Sequence, residues 1–223
     1  MVFAWGAVAP FALRDRWPAL LVGAVFSATP VGYGVGTVVG GRLADRLPPR
    51  RLCVAGLALL LAGFGIAFAA PGGTLFLIFY AFLALGLGGG ICLTGALGAI
   101  TQGFPGRAGT LGGLLTAAYA SGTVLQVPIV TFLVPRLGWV DALRTVGAAF
   151  ALIALLAVLG MPSLPRPARQ QAAAGHVPLG RLALRPLIWT GILAEICATP
   201  LGAYTFVNIA GYAHRHGLGL GLA

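Results

Sequence analysis

The chain holds 223 residues and four acidic side chains, and one of these, Glu195, lies deep within an apolar run, 186–213. About nine residues into a helix, it would sit roughly 13 Å from the nearer end. An isolated carboxyl there suits proton or cation coupling, or contact with a solute, and is costly to leave unused. It equally suits a pairing with an arginine near the end of the run, or a wet cavity that makes no use of it. Uncharged hydrogen-bonding groups are spread through the other apolar runs: Tyr33, Thr94, Tyr119, Gln126, Tyr204 and Asn208. Each has the donors and acceptors to hold a small polar solute, and each also fits a hydrogen bond between helices. The third candidate is the stretch Gly41-Arg42-Leu43-Ala44-Asp45-Arg46-Leu47-Pro48-Pro49-Arg50-Arg51, where four of eleven residues are arginines around one aspartate. Charges that dense belong in water. They set topology, and at a helix end they are able to exchange partners when neighbouring helices move.

Other chemistries lack their residues. Cys53, Cys92 and Cys197 are far apart in apolar runs, with no CxxC or Cys/His spacing for a metal. His176, His214 and His216 fall in a linker and a tail, where His214-Arg215-His216 reads as an interfacial anchor. There is no HExxH, GxSxG or phosphate-loop pattern, so neither an enzyme nor a cofactor is expected.

The elements that must position the candidates are membrane helices. The chain is 59% hydrophobic and only 8% charged, against about 25% charged in soluble domains. Its mean hydropathy is +0.97. The net charge of +10 comes from arginines that flank apolar runs, which argues against a nucleic-acid partner. Residues 1–13 are apolar but cover only roughly 20 Å of a hydrocarbon core about 30 Å thick. They read as the outer part of a first helix whose beginning is absent, and Trp17 after them suits the headgroup zone. Further helices are expected over about 19–41, 51–70, 74–101, 109–134, 139–160 and 186–213. Pro30 and Pro128 are expected to kink theirs, and the helix over 51–70, poor in polar groups, is expected to face lipid. Residues 135–139 are expected to turn the chain between two helices. Small residues recur every four positions at Gly32, Gly36 and Gly40, at Gly86, Gly90, Thr94 and Gly98, and at Gly109, Gly113, Ala117 and Ser121. Such faces admit another helix closely. The fold class is therefore all-α membrane protein, with a bundle over 1–160, a proline- and arginine-rich linker over 161–185, and a last helix and tail over 186–223. Nine arginines against five place the stretch 41–51 and the linker on the cytosolic side. Arginine without lysine, with abundant Ala, Gly and Leu, points to a bacterial cytoplasmic membrane.

The stretch 41–51 resembles the loop between the second and third helices of the major facilitator superfamily, Gly-x-Leu-Ala-Asp-Arg-x-Gly-x-Arg-Arg. Gly41, Leu43, Ala44, Asp45, Arg46, Arg50 and Arg51 match, while Pro48 replaces a glycine, so the turn must be built differently. The resemblance implies a six-helix N-terminal half with a truncated first helix, plus one helix of a second half: a partial chain of a secondary transporter working by alternating access. It implies that Gly41, Arg42, Leu43, Asp45, Arg46, Arg50 and Arg51 form a gating loop. It makes Thr94, Tyr204 and Asn208, on helices that line the central cavity, better solute candidates than their chemistry alone would. It also implies that the small faces of the second and fifth helices meet the other half. Phe104-Pro105-Gly106-Arg107, the glycine-rich fourth and fifth helices, Leu137-Gly138-Trp139 and Ala4-Trp5-Gly6 are similar to the monocarboxylate and oxalate/formate branches, implying a small organic anion as solute, with protons as a candidate co-substrate. The alternative is a non-transporting membrane protein acting by self-association, as a dimer or scaffold.

Overall fold

The computed structural model describes residues 2–69 and 73–162, all within the first of two units into which the chain divides, Met1–Pro167 and Ala168–Ala223. The linker from residue 163 on and the expected last helix lie outside the described residues. Among the described residues there are six helices and no strand: α1 (Val2–Arg14), α2 (Ala19–Ala44), α3 (Pro49–Ala69), α4 (Gly73–Gly103), α5 (Ala108–Leu137) and α6 (Trp139–Gly160). Five of them, α2 to α6, are long and apolar enough to cross a membrane.

Several boundaries differ from the sequence reading. α2 continues to Ala44 and α3 starts at Pro49, so only residues 45–48 of the charged stretch are outside a helix. The amides of Arg46 and Leu47 both donate to the Leu43 carbonyl, and the Leu52 amide donates to the Pro48 carbonyl. No residue of this turn has positive φ. Pro48 therefore fits where a glycine was expected, and Pro49 opens α3 with a φ already helical and no N–H to satisfy. Likewise α5 runs through Pro135 to Leu137, and Gly138 alone (φ 79°) reverses the chain. Pro30 and Pro128 both lie inside helices that continue past them.

The centre of the bundle is α4 between α2 and α3, and its cause is glycine. A Cβ on Gly32 would lie 2.5 Å from the Phe82 carbonyl oxygen, one on Gly36 2.5 Å from that of Leu87, and one on Gly90 2.5 Å from that of Tyr33. On the α3 side a Cβ on Gly63 would lie 2.6 Å from the Phe79 oxygen. These backbones touch directly, the close approach that substitutes for a hydrophobic driving force in lipid. Residues Leu77–Gly88 of α4 form wide π-helical turns, and Phe79, Phe82 and Leu87, whose oxygens lie over those glycines, belong to this segment. Two expectations are thereby corrected. The glycine face of α2 is used within this bundle, by α4, and is not left for another half. α3 buries Leu52, Cys53, Gly56, Leu57, Gly63, Phe64 and Ala67 and turns only its other face, with Val54, Leu61 and Ile66, outward.

At the bundle end away from residues 45–48, Trp5, Trp17, Phe76, Tyr80 and Trp139 form one aromatic cluster with ring centroids 4.5–6.3 Å apart. The Trp5 indole donates to the Val22 carbonyl (2.9 Å) and the Trp139 indole to Asp15 Oδ2 (2.6 Å). Trp17 is half-buried in this cluster.

α2 packs on α4, α5 packs on α6 and α1, and α3 packs on α4 and α6. Arg50, at the start of α3, donates to the Leu159 carbonyl at the end of α6 (3.2 Å). Arg144, near the start of α6, donates to the Phe68 carbonyl at the end of α3. Each helix start thus caps the other's C-terminal carbonyls, where unpaired oxygens and the helix dipole favour a cation.

Candidate functional site

Of the expected polar groups, the fold joins Tyr33 and Tyr119, whose ring centroids are 5.9 Å apart across α2 and α5. Tyr33 also lies over Gly89 of α4, at 3.8 Å from where a Cβ would be. Three helices thus meet near Tyr33. Tyr33, Gly89 and Tyr119 each fall near the middle of their helices, roughly 16–27 Å from either end. Tyr33 is half-buried and Tyr119 is 52% exposed. The exposure continues along one face of α5: Gly109, Gly113, Ala117 and Ser121 are all open, and a Cβ on Gly109 or Gly113 would meet nothing within 4 Å. α5 is the least covered of the five long helices. The small-residue face of α5, unlike that of α2, is thus unpartnered among the described residues. Two phenol rings at mid-depth beside an uncovered helix face are equipped to stack on and hydrogen-bond a small solute.

Thr94 lies about one turn farther along α4. Its hydroxyl donates to the Gly90 carbonyl (2.9 Å) and packs against Gly40 of α2. Gln126 follows Tyr119 on α5 by about two turns and is buried, 8% exposed. Tyr33, a minor candidate in the sequence, becomes central only through its neighbours. Glu195, Tyr204 and Asn208 lie outside the described residues.

In the charged stretch, Gly41, Arg42 and Leu43 belong to the last turns of α2, Asp45 and Arg46 to the exposed turn, and Arg50 and Arg51 to the first turn of α3. Asp45 terminates α2, its amide donating to the Leu43 carbonyl. Arg50 reaches away from the turn to Leu159, which anchors α3 to α6. Nothing in the sequence signals that contact, or those of Arg144 and Trp139, because the partners lie 109, 76 and 124 residues away.

Five long apolar helices define a multi-pass membrane protein. The sequence matches the Major Facilitator Superfamily over residues 1–223, and the chain belongs to that superfamily, whose members are membrane transporters. No curated protein matches it.

Proposed function

We propose that the chain serves secondary active transport of a small solute by alternating access, and that the solute is a small organic anion of the monocarboxylate kind. Superfamily membership over the whole sequence carries the reading. The Tyr33–Tyr119 pair supports a solute contact at mid-depth, where sites of alternating-access proteins lie. Glu195 is assigned to proton coupling or solute contact, with Tyr204, Asn208, Thr94 and Gln126 as further polar groups of the pathway. Asp45 and the arginines of the turn are assigned to gating, and the turn to the cytosolic face of a bacterial inner membrane. In support, Arg42, Arg46, Arg50, Arg51 and Arg107 lie at that end against Arg14, Arg16, Arg136 and Arg144 at the other, and the linker adds Arg166, Arg169, Arg181 and Arg185 in sequence after α6.

The test is uptake of labelled monocarboxylates, with sugars and amino acids as comparison, into proteoliposomes of the purified protein with and without a proton gradient. Saturable, gradient-dependent monocarboxylate uptake is expected of the protein together with any helices its reading frame encodes after residue 223. Tyr119→Ala should raise KM about tenfold, the equivalent of one lost stacking or hydrogen-bonding contact. Saturable uptake of another solute class overturns the anion assignment. No saturable uptake of any class overturns the transport reading.

A further inference from the structure

Cys53 of α3 and Cys92 of α4 are placed against each other. The Cys53 thiol donates to the Cys92 carbonyl (3.7 Å) and the Cys92 thiol to the Cys53 carbonyl (3.5 Å). The arrangement is reciprocal, so the two residues stand at the same level on facing helices. Two glycines create it. A Cβ on Gly56 would lie 2.7 Å from Cys92 Sγ, and a Cβ on Gly95 would lie 2.7 Å from Cys53 Sγ. Each sulfur occupies the space that a side chain on the opposite helix would fill. The helices are therefore drawn close at this level, and each sulfur already sits beside the other residue's backbone. A disulfide requires such an approach, with Cα atoms within about 7 Å and the two Cβ vectors facing.

From this juxtaposition we propose that Cys53 and Cys92 are a modification site: a thiol pair that closes to a disulfide and staples α3 to α4. In the closing step both S–H bonds break and one S–S bond forms. The two protons and two electrons pass to a neutral two-electron acceptor of the azo or quinone class. Charged oxidants are excluded, because Cys53 is only 3% exposed and Cys92 is half-buried within membrane-spanning segments. The closed pair fixes the α3–α4 contact, while α5, with its open face, shares no residue with it.

The experiment uses the full chain in membrane vesicles, treated with the permeant azo oxidant diamide, then denatured and reacted with a maleimide-polyethylene glycol that shifts each free thiol on a gel. The chain has three cysteines, so the untreated protein should take three adducts and the oxidised protein one. In Cys197→Ser the count should fall from two to none, without a dimer band, and dithiothreitol should restore it. The comparison is Cys53→Ser with Val54→Cys, which moves the thiol to an exposed position on the outward face of α3. Its closure with Cys92 should be at least about tenfold slower, since exchange and closure depend on which sulfurs are within reach. Persistence of both thiols in Cys197→Ser, an intermolecular product, or equal closure of the displaced pair each overturns the proposal.

Discussion

Gly36→Ala and Gly34→Ala separate packing from helix propensity within one turn of α2. A methyl group on Gly36 would lie 2.5 Å from the Leu87 carbonyl oxygen and 3.0 Å from the Leu87 Cα, both backbone atoms. A methyl group on Gly34 would meet nothing within 4 Å. Ordinary contact begins near 3.4 Å, so accommodating the Gly36 methyl forces α2 and α4 apart by about 0.9 Å, a gap that forfeits a quarter to a half of each dispersion contact along the seam. Overpacking of this kind costs about 1–3 kcal/mol. Replacing glycine by alanine in a helix is worth up to about 1 kcal/mol at either position, so this gain cancels in the comparison. Gly34→Ala should then be the more stable variant by about 1–3 kcal/mol, or on the order of 5 °C in Tm for a chain of this size. Thermal unfolding of both proteins in one detergent, followed by tryptophan fluorescence, reads the difference. If Gly36→Ala melts at or above Gly34→Ala, the backbone seam between α2 and α4 is not as described.

The reciprocal caps predict that Arg50→Ala and Arg144→Ala each lower stability by about 0.5–1 kcal/mol, the range for an exposed cation at a helix C-terminus. Their sites are at opposite ends of α3, so the double variant should lose the sum within about 0.5 kcal/mol; unchanged melting in both single variants refutes the caps. For topology, a cysteine replacing Arg46, which is exposed, should resist a membrane-impermeant maleimide in intact cells and react after permeabilisation. Pro49 is a poor reporter because it is buried against α4. Labelling of the Arg46→Cys protein in intact cells would place the turn outside.

Hydropathy and charge alone determined that residues 19–160 form membrane helices, because hydrocarbon admits backbone only when its polar groups are bonded within a helix. A turn within 41–51 was equally legible from its arginines, though not its bounds at 45–48, and the superfamily was legible from the same residues. The four-residue spacing of glycines announced that helices would meet closely, but not which ones: Gly32, Gly36 and Gly40 pack on α4, while Gly109 and Gly113 on α5 stay open. A small-residue face is a permission to approach, and the partner is chosen by the chain's topology and the competing faces. The helix start at Pro49 is hidden in the sequence because a proline at the first helical position has no N–H to satisfy and a φ already helical, whereas α5 continues through Pro135 at the loss of one i→i−4 hydrogen bond. Tyr33 meeting Tyr119, Trp139 meeting Asp15 and Arg144 meeting Phe68 were decided only in the tertiary structure. Contacts between residues far apart in the chain depend on how helices rotate and stack, and local periodicity carries no information about that.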